Sequence, residues 1–486
     1  MPDTRKNRST PVRYDPIAAY RPVHFRSLDD DQINLLHEAS LEILARTGVR
    51  FYSEEALDLF RKGGAHVSDG NRVRIPAHLV DWALRTAPKS VTLYDRNGQR
   101  ALSVGGYHSH FGVGSDCMHI YDLYSGQRRM AVLQDVVDGI RLLDALPNLS
   151  FAMSMFLPSD VPPERYERHQ MSVMLQETTK PIVFVGIEAA STAYSIEMAA
   201  AVAGGLEELQ RLPFVVNYVN TVSAFRHNKE SVHRLLYAAE RNLPSIYAPG
   251  RARGTLAPIT VAGGIALGNA GFLAGVVLSQ LKREGSPIMG RRPGGDALDM
   301  RSMVNLYACP DAGPFAWDLA HHYGLPTFGE AGCSDAKVFD AQAAAEATLT
   351  LMDNMLNGVN LGHDVGYLED ALTGCLELVA FCDETIGWLR RYLRKLEITE
   401  ETLALDLIHE VGPDGDFIQT EHTLQHVRDD WAPTLMDRHN FTRWMAKGGT
   451  TLQERANRKV RDIVQEHRAP RLPATVVEVL DEIVQR

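Results

Sequence analysis

Aromatic, guanidinium and carboxylate side chains directly follow several short apolar segments of this 486-residue chain. Aromatic faces beside a carboxylate attract a permanent organic cation, and a guanidinium group suits a carboxylate or a phosphate. Together these groups would fit a zwitterion such as a betaine. We assign Glu330 and His363 as candidate catalytic residues, and as candidate substrate-binding residues Phe156, Tyr218, Asn220, Tyr247, Arg251, Arg291, Cys333 and Asp335.

A second pattern is the pair His108 and His110, two imidazoles one residue apart. Such a pair at a first barrel strand can bind a metal ion when later strands supply further ligands. Only His363 and Asp364 follow a later strand with suitable ligand types, and the pair precedes its own strand rather than ending it. We therefore predict no metal here, and a metal-dependent barrel hydrolase stays as an alternative.

Eight short apolar segments at regular intervals position these residues, each followed by about 12–25 residues with helical spacing. Several begin at a proline, whose missing amide is tolerated at a strand start. Strands alternating with helices predict a parallel sheet, and eight repeats predict closure into a barrel with its chemistry at the carboxyl ends. The predicted strands are Phe111–Gly114, Leu149–Leu157, Pro181–Ile187, Pro213–Val219, Ser245–Pro249, Pro287–Gly290, Pro326–Gly329 and Val359–His363.

The predicted fold is α/β: a closed (β/α)8 TIM-type barrel over residues 107–393 with a flank on each side. Residues 28–106 are predicted as a helical and mixed cap. Residues 394–486 are predicted as a packed helical extension, because no linker or low-complexity segment separates them from the barrel. Residues 1–27 are polar and basic and contain prolines, so we expect a flexible leader, and they have no apolar core of the secretory kind.

The bulk composition excludes some classes of partner. A formal net charge of −11 argues against nucleic-acid binding, which needs a basic face. The five cysteines show no paired spacing of the metal-binding or redox kind, which favours a reducing, cytoplasmic location.

One stretch, Gly254–Leu281, has no charged residue and is long enough to cross a bilayer. Its proline, polar residues and many glycines dilute its hydrophobicity. A helix that is apolar all round can equally be buried between a barrel and a neighbouring subunit. We predict a buried helix with no membrane contact, and a homo-oligomer.

Five segments in the right order resemble the trimethylamine methyltransferase family. They are HEASLEILARTGVRF at 37–51, the stretch beginning GTLAPITVAGGIALGNAG at 254, GCSDAKVFDAQ at 332–342, the region around Cys382–Asp383–Glu384, and a tail with HTLQHV and LMDRHNFTRW. The resemblance runs from about Leu28 to Pro473. It implies a closed α/β barrel and an enzyme that moves methyl groups from methylamines or betaines to the corrinoid of a separate partner protein.

The resemblance also narrows the substrate. Trimethylamine-specific members of the family carry pyrrolysine in the active site, and this chain has none. A quaternary ammonium needs no covalent activation, since its leaving group is a neutral tertiary amine. The resemblance therefore implies glycine betaine or a similar quaternary amine, with the corrinoid (cobalamin) carried by the partner and none bound tightly to this chain.

One position departs from the family pattern. The glycine-rich helix of the family usually has a glutamate where this chain has Gly271. That carboxylate serves either the substrate or packing, and the residues do not decide between the two. Besides the hydrolase, a non-catalytic binder of betaine-type solutes stays as an alternative function.

Overall fold

A closed ring of eight parallel strands is the centre of the computed structural model, which describes residues 20–250, 252–309, 312–429 and 432–486. Each strand pairs with the next in chain order. Leu361 of the last strand pairs with His110 of the first, and a parallel bridge between Ala152 and Ile182 joins the second to the third. The strands are β1 His110–Gly112, β2 Leu149–Phe151, β3 Ile182–Val185, β4 Val215–Thr221, β5 Ser245–Pro249, β6 Ile288–Arg291, β7 Thr327–Glu330 and β8 Leu361–His363.

Every segment predicted as a strand contains or overlaps one of these eight, so the predicted closed barrel is confirmed. Pro181, Pro287 and Pro326 each stand directly before a strand, where no ladder amide is lost. One long helix follows each strand. These are α1 Leu133–Ala145, α2 Tyr166–Glu177, α3 Ala189–Ala203, α4 Lys229–Glu240, α5 Val261–Lys282, α6 Gly313–His322, α7 Ala341–Leu356 and α8 Leu376–Tyr392, with a short helix Leu206–Arg211 after α3.

The segment before β1 forms helices and short strands, which we call the cap. Its first helix begins at a capping box in which Asp29 and Gln32 accept each other's backbone N–H groups, and Ser53 caps the second. Its helices are Asp30–Glu42, Glu54–Lys62 and Ala77–Thr86, with a π-helical turn at Ile43–Thr47. Strands Val49–Phe51, His66–Ser68 and Arg72–Arg74 form a sheet with Arg226–His227, and Val91–Tyr94 pairs with Arg100–Val104.

Helix α5 contains most of the uncharged stretch, and the cap covers it. In the part of the chain that the structure describes, α5 alone is long and apolar enough to cross a membrane, and 83% of its most hydrophobic window is buried. It packs against the three cap helices and α4. Asn269 in its middle donates to Ser40 of the cap at 2.9 Å and to the Tyr323 hydroxyl at 2.7 Å. The chain itself covers this helix, and the homo-oligomer stays a prediction.

Two small sheets stand on the carboxyl side of the barrel. In the first, His119–Tyr121 pairs with Arg128–Met130 and with Thr373–Gly374, and Thr373–Gly374 pairs in turn with Tyr367–Leu368. This sheet ties the loop after β1 to the loop after β8. The second is the hairpin Leu298–Asp299 and Val304–Asn305 in the loop after β6.

The last two helices, Leu452–Glu466 and Ala474–Gln485, pack on α1, α2 and α3. Glu384 of α8 anchors the segment before them, because its carboxylate accepts the backbone N–H groups of Thr434, Leu435 and Met436 at 2.7 Å each. The helix Phe441–Ala446 lies between that anchor and the final pair.

Residues 387–432, with residues 20–21, form a compact unit of their own. It contains the helices Glu400–Leu403, Leu405–Val411 and Glu421–His426. The predicted leader falls mainly on residues 1–19, outside the described residues. Its last part is held in place: His24 pairs with Asp318 at 2.8 Å, and the backbone N–H of Ser27 donates to the same carboxylate.

Candidate functional site

A cavity of about 400 Å³ lies at the carboxyl ends of the barrel strands, where the strand-end argument expects a site. Strands β1, β4, β5, β6 and β8 and their following loops line it. The described lining residues are Ser115, Asp116, Tyr218, Asn220, Gly250, Ala252, Leu256, Arg291, Gly295, Asp296, Asn305, Tyr307, His363, Asp364, Tyr367, Asp370 and Ala371.

Carboxylates dominate the charge of this lining. Asp296 pairs with Arg292, and Arg291 pairs with Glu330 behind the wall, so these four charges cancel. Asp116, Asp364 and Asp370 then leave the described lining net negative.

Asp364 directly follows β8 and is nearly buried, with an exposed fraction of 7%. Burial raises its pKa to about 6, although the Tyr307 hydroxyl donates a hydrogen bond to its Oδ2 atom at 2.6 Å and Arg291 also favours the ionised form. Its backbone φ is +72°, in the left-handed region that non-glycine residues rarely adopt. A strained, buried carboxylate at a strand end is typical of a functional site.

Asp116 faces the cavity from the loop after β1, and the surrounding barrel raises its pKa by desolvation. Its backbone N–H donates to the Tyr367 hydroxyl at 3.1 Å, and that hydroxyl donates to the carbonyl of Met155 at 2.8 Å. The phenol of Tyr367 is thereby fixed between two backbone groups.

Three tyrosines supply the aromatic part of the wall: Tyr218, Tyr307 and Tyr367. They come from β4 and from the loops after β6 and β8, so they approach the cavity from different directions. Aromatic faces combined with carboxylates in a desolvated cavity attract a cation without needing it to donate a hydrogen bond.

His363 ends β8 and lies beside Asp364, with its Nε2 atom 3.4 Å from Oδ2 of the carboxylate. Its Nδ1 atom is 2.7 Å from the carbonyl of Gly329, so Nδ1 carries the proton. The ring stacks on Phe328 at 4.0 Å between centroids. This histidine is held rigidly in one orientation at the cavity wall.

The structure brings together four of the residues that the sequence indicated: Tyr218, Asn220, Arg291 and His363. Asn220 is held by Arg234, whose guanidinium donates to its Oδ1 atom at 3.2 Å. Arg251 lies outside the described residues.

The other predicted site residues do not line the cavity. Phe156 is fully buried. Its ring packs closely against Gly374, so that a Cβ atom added to this glycine would lie 2.5 Å from the ring. Tyr247 points outward from β5 to the helix layer, where its hydroxyl contacts His227 at 2.5 Å. Glu330 is buried between Arg291 and Arg292.

Cys333 and Asp335 are likewise behind the wall. Burial raises the pKa of the Cys333 thiol far above its usual value, so this sulfur is not a nucleophile at neutral pH. The Asp335 carboxylate accepts the backbone N–H of Ala308 at 3.1 Å and supports the loop after β6.

Asp116, Tyr307 and Tyr367 are site residues that the sequence argument missed. Asp116 follows the predicted first strand by two residues, so the strand-end rule contained the signal. Tyr367 stands four residues after β8. Tyr307 comes late in a long loop, and no local pattern marks its return to the cavity.

His108 and His110 stand at the beginning of β1, at the opposite end of the barrel from the cavity. The Nε2 atom of His110 lies 3.3 Å from the carbonyl of Ser103. This position separates them from His363 and Asp364, the later groups that a shared metal site would require.

The fold and cavity define an α/β-barrel protein with an anionic, tyrosine-lined site at its carboxyl mouth. The model of the trimethylamine methyltransferase family matches residues 3–486, and the chain belongs to this family. It is therefore an enzyme of the methyltransferase class, and methyltransferases of this family work with corrinoid proteins.

Characterised relatives include two proteins of Desulfitobacterium hafniense. The chain is 30% identical to a trimethylamine methyltransferase over 94% of this chain and 92% of the relative, and 30% identical to a glycine betaine methyltransferase over 92% and 94%. A solved structure of the monomethylamine methyltransferase of Methanosarcina barkeri covers 91% of this chain and 95% of its own, at 12% identity and a TM-score of 0.46.

Proposed function

We propose that the protein transfers a methyl group from a small quaternary amine, with glycine betaine as the first candidate, to the reduced corrinoid of a partner protein. The observation that carries this proposal is the cavity itself, whose described lining has more carboxylates than cations and contains three tyrosines. A quaternary ammonium cannot donate a hydrogen bond, so its recognition depends on such groups.

A guanidinium group in the cavity wall favours a betaine over other quaternary amines. Arg291 places a guanidinium in the cavity wall, and Glu330 fixes it from behind. A zwitterion would set its ammonium among the carboxylates and tyrosines and its carboxylate toward this guanidinium. One of the relatives is a glycine betaine methyltransferase.

The protein's task in this reaction is positioning and desolvation rather than proton transfer. The N–CH₃ bond breaks with its electron pair remaining on nitrogen, so the product is a neutral tertiary amine and no acid is required. The reduced corrinoid supplies the electron pair for the new bond to the methyl carbon. Rigidly held groups such as His363 and Tyr367 would fix the substrate with one methyl group toward the mouth.

The loops around the mouth of the cavity suit docking of a partner that carries the corrinoid. The cavity itself, of about 400 Å³, accommodates a small amine. Exposed apolar side chains stand in the loops around the mouth, after β4, β5, β6 and β8, and they suit a docking surface: Val222, Ile259, Met300, Met303 and Leu372.

We propose a cytoplasmic location for the protein. The five cysteines are unpaired in the structure, which supports a reducing cytoplasm. Size measurement of the purified protein by light scattering tests the predicted homo-oligomer.

The test is a methyl-transfer assay with purified protein and reduced corrinoid, followed by the absorbance of the corrinoid and by mass spectrometry of the amine product. The panel is glycine betaine, carnitine, proline betaine, choline and trimethylamine. We expect transfer from one quaternary amine and none from trimethylamine. Calorimetric binding without transfer, with the corrinoid partner present, would instead identify a solute binder and overturn the proposal.

Two variants sharpen the assay. Arg291→Gln should raise KM for glycine betaine at least tenfold and leave choline, which has no carboxylate, little affected. Because this change also leaves the Glu330 charge unpaired, the double variant Arg291→Gln/Glu330→Gln is the charge-balanced control. If the double variant recovers normal KM for glycine betaine, Arg291 does not bind the carboxylate.

A further inference from the structure

The segment HTLQHV is one of those that carry the family resemblance, and none of its residues is among those that line the barrel cavity. Its two histidines, His422 and His426, are four residues apart on the helix Glu421–His426, so they share one face. Their ring centroids are 4.5 Å apart. Glu401, from the helix Glu400–Leu403 of the same unit, brings a carboxylate to this face, and one ligand atom from each of the three residues lies within 4.8 Å of the others.

The two imidazoles have different surroundings. His426 contacts Glu401 Oε1 through Nε2 at 2.5 Å and Asp429 Oδ2 through Nδ1 at 2.6 Å. A carboxylate on the far nitrogen is the arrangement that orients a metal-binding histidine. The Nε2 atom of His422 is buried and has no hydrogen-bond partner in the described part of the chain.

We propose that Glu401, His422 and His426 bind one zinc ion. Two imidazoles and a carboxylate are a zinc ligand set, and three protein ligands leave the fourth tetrahedral position open for water. The Glu401–His426 contact need only lengthen to roughly 3.3 Å for both groups to bind at about 2.0–2.2 Å from one ion. Asp429 acts from the second shell and orients His426. A zinc ion at this position differs from the sequence-based prediction that the chain binds no metal.

The zinc ion would have a structural role, because its ligands come from two short helices. The helices Glu400–Leu403 and Glu421–His426 have four and six residues, and none of these residues is buried as a whole. Helices this short are marginal unless something else holds them. A cavity of about 420 Å³ adjoins His422, with Glu401, Glu410 and Thr420 among its lining residues, and it leaves room for the fourth ligand. The zinc ion would tie the two helices together.

The first test is metal content of the full-length protein, purified without a metal-affinity step, by mass spectrometry after dialysis against zinc. Cobalt titration gives an independent optical readout, because tetrahedral Co²⁺ absorbs visible light strongly. We expect one ion per chain, and we expect His422→Ala and His426→Ala to lose it. His409→Ala, at an exposed histidine of the same unit, is the matched control and should bind as the unchanged protein does.

The second test does not depend on the histidine variants folding. Zinc should raise the Tm of the unchanged protein, because a ligand that binds only the folded state stabilises it. Glu401→Gln should abolish this rise, and Asp429→Asn should weaken zinc binding roughly 10–100-fold. Less than a tenth of an ion per chain with no cobalt absorbance would overturn the proposal. So would an equal rise in Tm for the unchanged protein and Glu401→Gln.

Discussion

Asp364 combines three features in one residue: a buried carboxylate, a left-handed backbone and a hydrogen bond from Tyr307. Burial and the backbone conformation both cost stability. A loss of folding stability of this kind is expected where a binding site keeps a buried carboxylate in position to bind a cationic ligand. Asp364 is therefore the residue at which the cation proposal is tested most directly.

Asp364→Asn should weaken binding of the quaternary amine at pH 7 and remove its pH dependence. The pKa of Asp364 is raised to about 6, so the anion that attracts the cation is lost below pH 6. In the unchanged protein, at pH values below 6, we expect the affinity for the amine to decrease by up to about tenfold per pH unit. Calorimetric titration from pH 5 to 8 measures this, with Asp58→Asn on the cap as the control. The same pH dependence in Asp364→Asn would assign the titration to another group.

The same substitution should stabilise the fold. A carboxyl whose pKa is higher in the folded than in the unfolded state destabilises the folded protein progressively as pH rises from about 4 to 6. Asp364→Asn removes this loss, which is at most about 3 kcal/mol at pH 7. Chemical denaturation at pH 7 and pH 4 should show a gain for the variant at pH 7 only. A loss at pH 7 would indicate a structural role for the charge.

Tyr307→Phe should shift the midpoint of the binding profile to higher pH. The hydroxyl donates to the ionised carboxylate of Asp364 and lowers its pKa, so removing it leaves the anion less stabilised. The aromatic face remains, so affinity at pH 8 should stay within severalfold of the unchanged protein. Tyr124→Phe, at an exposed tyrosine, is the control. An unchanged midpoint for Tyr307→Phe would show that this hydrogen bond does not control Asp364.

At this scale, some of the residues indicated by the sequence line the cavity and others do not. Tyr218, Asn220, Arg291 and His363 were found because a barrel places strand ends at one mouth. Tyr247 satisfies the same rule, yet successive side chains of a strand point to opposite faces, and the face that Tyr247 occupies depends on the strand's tilt and register.

Among the elements, α5 packs closely on the loop after β4 at Gly271. A Cβ atom at Gly271 would lie 2.7 Å from the Cα of Ala224 and 2.8 Å from its carbonyl oxygen. The residue thus lets the loop after β4 approach the helix backbone. In this structure a larger side chain at position 271 would require the backbone at Ala224 to move.

Gly271→Ala should lower stability, although alanine is the better helix former. Overpacking against a backbone costs about 1–3 kcal/mol, which exceeds the propensity gain of about 1 kcal/mol. Thermal denaturation should show a lower Tm, whereas Ala262→Ser, at an exposed position on the same helix, should leave it nearly unchanged. A higher Tm for Gly271→Ala would mean that the Ala224 loop moves away without cost.

The sequence located the helices and strands of the barrel because strand and helix periods alternate regularly along it. The sheets over the mouth were harder to predict. Asp122 and Gly126 are turn-type residues that favour a hairpin within 116–129, and the structure has one there. Its pairing with Thr373–Gly374 is a contact between residues some 250 positions apart, and local periodicity carries no information about it.

At the scale of the barrel with its flanks, the final helix Ala474–Gln485 is a packed part of the structure. Leu480 is fully buried against the barrel helices, whereas its neighbour Val479 is 39% exposed. Leu480→Ala should therefore cost about 2–5 kcal/mol, and Val479→Ala should cost little. Urea denaturation of the two variants measures the difference. Equal stabilities would indicate that the last helix unfolds independently of the barrel.

The barrel closes by pairing of its first strand, β1, with its last strand, β8, and this delays closure while the chain is being synthesised. Leu361 pairs with His110, so the ring cannot close until residue 361 has left the ribosome. At roughly 5–20 residues per second, the strand edge of β1 waits on the order of 10–50 seconds for its partner. During that time it offers open backbone groups to any other strand nearby. Nascent chains of this protein should therefore depend on chaperones that bind extended apolar segments, and slower translation should increase aggregation.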